Sequence, residues 1–217
     1  MSTDADDRSR ALAIVHTWLA GWARAVAEQR TWLTELDGAI GDGDHGINLD
    51  RGLTAVAADL ASPDAPDEAG PLLAAAGRRM MGVVGGASGA LYGQALLRAG
   101  GAVTAEPAPD RLGEAALAAA IDAVSALGKA VPGDKTMLDA LVPALGVLRT
   151  DATTGAARYA RAAEAAAAGA DATVPLVARK GRASYLGERS AGHRDPGAAS
   201  SALLVACLAH AYAEEPR

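Results

Sequence analysis

The sequence predicts a single all-α domain of about eight helices, packed as a bundle or a barrel. Half of the 217 residues are apolar, Ala dominates and Phe is absent. Such Ala-rich sequence with few β-branched residues favours helices that pack closely together. Apolar residues recur at the helical period in most segments, and no segment shows a convincing strand pattern. We expect one domain over residues 1–217, with residues 1–7 disordered.

Glycine- and proline-containing breaks divide the chain into its predicted helices. The first has an apolar stripe that includes Trp18 and Trp22, which we interpret as core packing. Asp110 is the expected N-cap of a later helix, and Asp195 with Pro196 starts the last one. Residues 102–109 and 179–197 are expected to be loops. The predicted helices cover residues 8–30, 31–39, 47–60, 69–84, 110–127, 136–148, 155–178 and 196–213. Helical spacing also restarts at Leu91, and the helix over 155–178 is expected to be interrupted near residues 173–175.

Composition and charge exclude several classes of function. The net charge is −6 and no long basic run occurs, so nucleic acid and anionic membranes are not expected partners. No apolar run reaches the ~18 residues of a membrane span. The single cysteine, Cys207, cannot form an internal disulfide and is interpreted as a small buried side chain. The N-terminus lacks a signal-peptide pattern, so we expect a soluble, cytoplasmic protein.

An acidic, glycine-rich segment over residues 37–48 is the strongest candidate site. The carboxylates of Asp37, Asp42 and Asp44 lie within eight residues and are separated by glycines, which let the backbone fold the acids inward. Carboxylates held this closely repel one another unless a cation lies between them. Their oxygens favour Mg²⁺ or Ca²⁺ over zinc. For such a composition, a solvated turn is an equally weighted alternative.

Three familiar motifs fit the sequence poorly. Residues 41–46 match the dinucleotide fingerprint, but no strand-like run precedes them and the adjacent acids would repel phosphate. An EF-hand loop that begins at Asp42 would need Glu at its twelfth position, where Leu53 stands. Residues 128–136 approach a P-loop, but Asp134 interrupts the motif and a helix precedes it.

Two further breaks are candidates for ligand contact. Residues 85–89 separate two predicted helices and are either a backbone anion site or a tight helix–helix corner, with equal weight. Residues 179–197 are dense in Arg, Ser and Gly, and a loop of that length is uncommon in a compact domain unless it functions. In a barrel, the loops at one end could bring residues 37–48, 85–89, 128–137 and 181–197 together.

Four motifs in this order resemble the family of nucleotide-binding L subunits of dihydroxyacetone kinases. They are residues 41–48 (GDGDHGIN), 85–93 (GGASGALYG), 133–139 (GDKTMLD) and 181–197 (GRASYLGERSAGHRDPG). The match runs from about residue 33 to the C-terminus, without a departure in the acidic segment. The resemblance implies an antiparallel eight-helix barrel that binds a nucleotide at one rim.

The resemblance also implies roles for individual residues. Two Mg²⁺ ions bridging the phosphates of ADP or ATP would be held by Asp37, Asp42 and Asp44. The phosphates would be contacted by His45, Asn48, Ala87 and Ser88. The adenine would be bordered by Gly128 and Met137, and the pocket completed by Arg182, Asp195, Pro196 and Gly197. Arg182 is also the predicted catalytic residue, stabilising the transferring phosphoryl group.

The implied activity is phosphoryl transfer to dihydroxyacetone held by a separate K subunit. Related systems use ATP directly or recharge bound ADP from a phosphocarrier protein, and the sequence does not distinguish the two. A first alternative is the nucleotide module of a kinase for another ketose or for a fatty acid. A second alternative is a non-catalytic nucleotide-binding regulator, because related L subunits also contact transcription factors.

Overall fold

The computed structural model describes residues 2–106 and 108–214. Over these residues the secondary structure is helical, with nine α-helices, one 3₁₀ segment and no strand. The all-α class is therefore confirmed. The helices are α1 Ser2–Glu28, α2 Arg30–Ile40, α3 His45–Leu60, α4 Ala69–Val83, α5 Gly86–Ala105, α6 Pro109–Gly128, α7 Leu138–Thr150, α8 Gly155–Ala172 and α9 Pro196–Ala213, and the 3₁₀ segment is Arg182–Ser190.

All the helices except the short α2 form a closed ring. In the order α1, α3, α4, α5, α6, α7, α8, α9, each helix packs against the next, and α9 packs against α1. From α3 to α8 the successive helices are joined by short links, so these neighbours run in opposite directions. The α2 helix packs beside α3, α9 and the 3₁₀ segment. The structure thus confirms the antiparallel eight-helix barrel.

Small residues let the helices of the ring approach closely. A Cβ atom added to Gly77 of α4 would lie 2.6 Å from the carbonyl oxygen of Gly93 on α5, so neither helix could tolerate a side chain there. Fewer, larger side chains fill the interior. Trp18 and Trp22 are buried as predicted, and the Trp22 ring centroid lies 5.1 Å from that of Tyr92.

The boundary between α5 and α6 differs from the prediction. The α5 helix continues to Ala105 because Val103 packs into the core, so the expected loop over residues 102–109 is shorter. The N-cap of α6 is Ala108 with Pro109 at the first helical position, and the prediction of Asp110 as N-cap was wrong. Asp110 instead lies in the first turn, where a carboxylate interacts favourably with the helix dipole.

Two other segments differ from their expected description. Residues 1–7 were expected to be disordered, and that stays a prediction; in the structure α1 begins at Ser2, and Met1 lies outside the described residues. Part of the expected loop over residues 179–197 forms the 3₁₀ segment, with a break at Gly187, whose φ is 54°.

The last helix, α9, differs from the expectation that no apolar run in this chain is as long as a membrane span. By length and composition alone it could cross a membrane, and it is the one described helix with that property. The ring explains this composition, because 56% of the helix is buried inside the protein. Its start agrees with the prediction, since the Asp195 side chain accepts a hydrogen bond from the Ala198 N–H at 2.7 Å.

Candidate functional site

An open cleft of about 390 Å³ lies at one end of the barrel, and all four sequence motifs contribute to its walls. The predicted convergence of these segments is therefore present in the structure. The residues that line the cleft include Asp37, Asp42, Asp44, His45, Gly85, Gly86, Ala87, Ser88, Leu91, Tyr92, Val124, Leu127, Gly128, Lys135, Thr136, Met137, Lys180, Gly181, Arg182, Asp195, Pro196 and Gly197.

The alternation of helix directions sets the electrostatics of the cleft. The helices α3, α5 and α9 begin at residues that line it, and α7 begins immediately after Met137, which also lines it. Four helix N-termini therefore meet at this end of the barrel. Free backbone N–H groups and the positive ends of the helix dipoles favour an anion at such a place.

The three aspartates of the acidic segment meet on one wall of the cleft. Asp37 comes from the last turn of α2, whereas Asp42 and Asp44 come from the link to α3. One carboxylate oxygen from each lies within 4.8 Å of the other two. The Asp37 Oδ2 atom also accepts hydrogen bonds from the backbone N–H groups of Asp44 at 2.9 Å and His45 at 3.2 Å.

Two glycines make this fold of the acidic segment possible. A Cβ atom added to Gly41 would lie 2.1 Å from Oδ1 of Asp37, so a side chain there would displace the carboxylate. Gly43 has a φ of 72°, in the left-handed region that glycine adopts at low cost. These glycines thus let the backbone fold the acidic side chains inward, as predicted from the sequence.

The charge of the acidic cluster is only partly balanced by protein groups. Arg182 forms an ion pair with Asp42 at 3.0 Å, and in the described part of the chain this is the ion pair that reaches the cluster. Three carboxylates facing one guanidinium retain a net negative charge. Hard oxygen donors at this spacing, with charge to spare, fit a divalent cation such as Mg²⁺.

His45 links three helices below the cleft. Its Nδ1 atom lies 3.0 Å from the Ser88 hydroxyl of α5, and its Nε2 atom lies 2.8 Å from the Ser200 hydroxyl of α9. The Tyr92 hydroxyl continues the network to Ser200 at 2.7 Å and to Ser201 at 2.9 Å. Burial lowers the pKa of His45, although Asp37 and Asp44 act in the opposite direction.

The other end of the cleft is apolar. Leu91, Val124 and Leu127 line it beside Gly128 and Met137, the residues predicted to border a base. Asp195, Pro196 and Gly197 line the cleft at the start of α9, which we call its floor. Burial raises the pKa of the Asp195 carboxyl to about 7, while the hydrogen bond from Ala198 opposes this shift.

Of the predicted site residues, only Asn48 does not line the cleft. It is buried within the first turn of α3, and its backbone N–H donates to the Asp44 carbonyl oxygen at 2.9 Å. The sequence prediction missed four polar residues: Tyr92 and Lys135, which line the cleft, and Ser200 and Ser201, which are hydrogen-bonded to Tyr92. Their sequence signal is weak, because a polar residue on an apolar helix face is also common without a site.

Comparisons with known proteins agree with this geometry. The sequence profile of the DAK2 domain matches residues 39–210, most of the chain. The chain belongs to the DAK2 domain family. The resemblance given by the four sequence motifs is therefore confirmed.

Several curated relatives of this DAK2 domain match over most of their own length. The chain is 39% identical over 206 residues to the ADP-binding subunit DhaL of the PEP-dependent dihydroxyacetone kinase of Escherichia coli, covering 91% of this chain and 95% of that one. The DhaL subunit of kinase 1 from Listeria innocua is 40% identical over 187 residues, covering 86% and 90%. The L-erythrulose 1-kinase of Mycolicibacterium smegmatis is 40% identical over 201 residues, but only 34% of it is covered.

Solved structures show the same barrel inside a longer chain. The native dihydroxyacetone kinase of C. freundii superposes with a TM-score of 0.74 at 29% identity, covering 91% of this chain and 34% of that chain. The same kinase in complex with AMP-PNP and Mg²⁺ superposes with a TM-score of 0.68 at 29% identity. In these relatives, about two thirds of the chain lies outside the DAK2 domain.

Proposed function

We propose that this chain is the ADP- or ATP-binding subunit of a dihydroxyacetone kinase, which transfers a phosphoryl group to a small ketose held by a partner K subunit. The observation that carries the proposal is the cleft, where three carboxylates within 4.8 Å of one another lie beside four helix N-termini. Carboxylates attract cations and helix N-termini attract anions. A metal-bound polyphosphate satisfies both at once.

The metal end of the site would consist of Asp37, Asp42 and Asp44, which would hold two Mg²⁺ ions. Bound Mg²⁺ would neutralise charge on the phosphate oxygens. The backbone N–H groups of Asp44 and His45 would keep the Asp37 carboxylate oriented toward the ions. The Asp42 carboxylate would exchange its Arg182 partner for metal.

The phosphate and base positions follow the two ends of the cleft. Ala87 and Ser88, at the start of α5, would bind phosphate through backbone N–H groups and the Ser88 hydroxyl. His45 would hold that hydroxyl in place, as it does in the structure. Gly128 and Met137 would border the adenine between the apolar residues of the cleft.

Arg182 is the proposed catalytic residue. Its side chain is about two-thirds exposed and lies at the mouth of the cleft, paired with Asp42. With a metal ion on Asp42, the guanidinium would be free to stabilise the charge on the transferring phosphoryl group. An Arg182→Ala protein should retain Mg–ADP binding and lose most of the transfer rate. A transfer rate equal to wild type would refute this role.

A partner subunit would deliver the acceptor to the open side of the cleft. The exposed large apolar side chains of the described residues lie near this end, on segments that surround the cleft: Ile47, Met81, Leu127, Val131 and Tyr185. Such apolar residues around a site favour a protein contact. Because ADP and ATP are cytoplasmic nucleotides, we place the assembly in the cytoplasm.

The acceptor itself would be chosen by the partner. The L-erythrulose 1-kinase relative, 40% identical, supports a four-carbon ketose as a second candidate for the acceptor. The phosphoryl donor is either ATP or a phosphocarrier protein that recharges bound ADP. Reconstitution with a K subunit, with ATP alone or with a phosphocarrier, would identify the donor, and competing ketoses would identify the acceptor.

The primary test is calorimetry of ADP binding to the wild-type protein, with Mg²⁺ and with a chelator. We expect binding in Mg²⁺ and no measurable binding in chelator. An Asp42→Asn variant should resemble the chelated wild type. Equal ADP affinity with and without metal would overturn the proposed site.

A further inference from the structure

Lys135 is a buried cation that lines the base end of the cleft and is only 1% exposed. Its Nζ atom donates three hydrogen bonds, to the carbonyl oxygens of Thr173 at 2.8 Å, Leu176 at 3.1 Å and His193 at 2.5 Å. An ammonium group has three N–H donors. All three are therefore used by the backbone, and none remains for a phosphate.

The three carbonyl groups belong to segments outside the regular α-helices, and that of Thr173 also accepts the Leu176 N–H at 3.1 Å. Thr173 and Leu176 follow the end of α8, and His193 precedes the start of α9. Buried carbonyl groups beyond a helix end need a donor, and Lys135 is the donor to those of Leu176 and His193. Burying an ammonium is unfavourable unless such acceptors surround it, and burial lowers the pKa of Lys135. The lysine and the two chain segments therefore depend on one another.

The Lys135 backbone is part of the same arrangement. Its φ is 65°, and Lys129 is the other non-glycine with a positive φ in the described chain. Residues other than glycine adopt this region rarely, and surrounding contacts must hold them there. The next residue, Thr136, donates its N–H to Asp139 Oδ2 at 2.7 Å, which places Met137 at the start of α7.

A second hydrogen bond extends the arrangement to the floor of the cleft. Thr173, whose carbonyl oxygen accepts from Lys135, uses its hydroxyl oxygen to accept the N–H of Asp195 at 3.0 Å. A Cβ atom added to Gly197 would lie 3.6 Å from the Met137 backbone nitrogen, so the two segments are in contact. Lys135 thus joins the segment of Met137 to the segment of Asp195–Gly197.

We propose that Lys135 is a positioning residue for the nucleotide base, holding Met137 and the start of α9 at a fixed separation through the three carbonyl groups. The inference rests on the proposed nucleotide-binding function and deepens it. The metal end of the site comes from the last turn of α2 and the α2–α3 link, which make none of these hydrogen bonds. Loss of the ammonium should therefore affect the base end and leave the metal end intact.

The test compares Lys135→Met with Arg158→Met. Arg158 is a matched control because it also donates to two backbone carbonyls, of Leu148 at 3.1 Å and Asp110 at 3.0 Å, and does not line the cleft. Calorimetry would give the Mg–ADP and Mg–GDP affinities, and electron paramagnetic resonance would give Mn²⁺ affinity without nucleotide. Circular dichroism would select a temperature at which both variants are folded.

For Lys135→Met we expect Mg–ADP affinity to fall about tenfold or more, because the base end would hold the binding-competent arrangement in only about a tenth of the molecules. The ratio of ADP to GDP affinity should fall as well, while Mn²⁺ affinity should stay within about twofold. For Arg158→Met we expect a lower melting temperature with unchanged nucleotide affinity. Wild-type ADP affinity and base preference in folded Lys135→Met would overturn the proposal.

A Thr173→Val variant covers the case in which Lys135→Met does not fold. It retains the lysine and the side-chain shape but removes the acceptor for the Asp195 N–H. We expect it to weaken Mg–ADP binding and reduce base preference, with Mn²⁺ affinity unchanged, and wild-type nucleotide binding would contradict the inference. If the wild-type protein does not bind Mg–ADP, the proposed function and this inference are both overturned. If wild type binds Mg–ADP and both Lys135→Met and Thr173→Val bind it equally well, the inference alone is overturned.

Discussion

Neutralising one aspartate of the acidic cluster should have opposite effects on the metal-free and the metal-bound protein. Asp42→Asn removes a charge whose oxygen lies within 4.8 Å of oxygens from Asp37 and Asp44. Two unit charges at this distance repel by roughly 1 kcal/mol in water and roughly 3.5 kcal/mol near a protein surface. The substitution also removes the exposed ion pair with Arg182, worth about 0–1 kcal/mol.

The repulsion that Asp42→Asn removes is larger than the ion-pair energy that it loses. We therefore expect the substitution to stabilise the protein in chelator by about 1 kcal/mol or more. For a domain of this size that corresponds to a rise in melting temperature of about 2–4 °C per kcal/mol. In Mg–ADP at one hundred times its Kd, the wild type should gain about 2.7 kcal/mol. A variant that binds a hundredfold more weakly should gain only about 0.4 kcal/mol at the same concentration.

Thermal unfolding in chelator and in Mg–ADP measures both effects on the same samples. Asp59→Asn is the matched control, because Asp59 forms a comparable exposed ion pair with Arg79 at 3.1 Å, near the other end of α3. The Asp59→Asn variant should not have a higher melting temperature than wild type in chelator. Its melting temperature should rise in Mg–ADP by as much as that of wild type. The reasoning fails if Asp42→Asn lowers the melting temperature in chelator or keeps the wild-type shift in Mg–ADP.

Three further predictions concern other parts of the cleft. Tyr92→Phe removes hydroxyl contacts to Ser200 and Ser201, so urea unfolding should show a loss of about 1 kcal/mol, and an unchanged midpoint would contradict this. Gly41→Ala places a Cβ against the Asp37 carboxylate, so Mn²⁺ affinity should fall about tenfold or more; retained affinity would show that the carboxylate can move freely. The Asp195 carboxyl has a folded-state pKa of about 7, above its unfolded value, so its contribution to stability should decline as the pH rises from about 4 to 7. Urea unfolding should show that, relative to Asp195→Asn, the wild-type protein loses free energy of unfolding as the pH rises over that range. An equal pH dependence of the two proteins would contradict this.

The fold was predictable because local signals and packing agree over most of this chain. Alanine-rich amphipathic segments between Gly and Pro breaks gave the helices, and the Asp195–Pro196 pair gave the start of α9. Prediction failed where burial overrides local preference. Residues 102–105 were assigned to a loop because prolines follow at positions 107 and 109. In the structure Val103 packs into the core, and α5 therefore continues to Ala105.

The acidic end of the site was predictable because its residues are close in sequence and chemically distinctive. The polar groups that organise the site were not, because their partners are remote in sequence. Ser200 contacts His45 across 155 positions, and Lys135 contacts His193 across 58. A serine in an apolar helix, or a lysine after a turn, is common without such a role. Only the closed barrel brings these partners together.

The closed ring also limits how such a barrel can change in evolution. Because neighbouring helices run in opposite directions, every second ring helix, α3, α5, α7 and α9, starts at the cleft. Gain or loss of a single ring helix would reverse all that follow it and turn carbonyl ends toward the ligand. Lineages of this architecture should therefore gain or lose ring helices in even numbers, whereas a helix outside the ring, such as α2, is free of this limit.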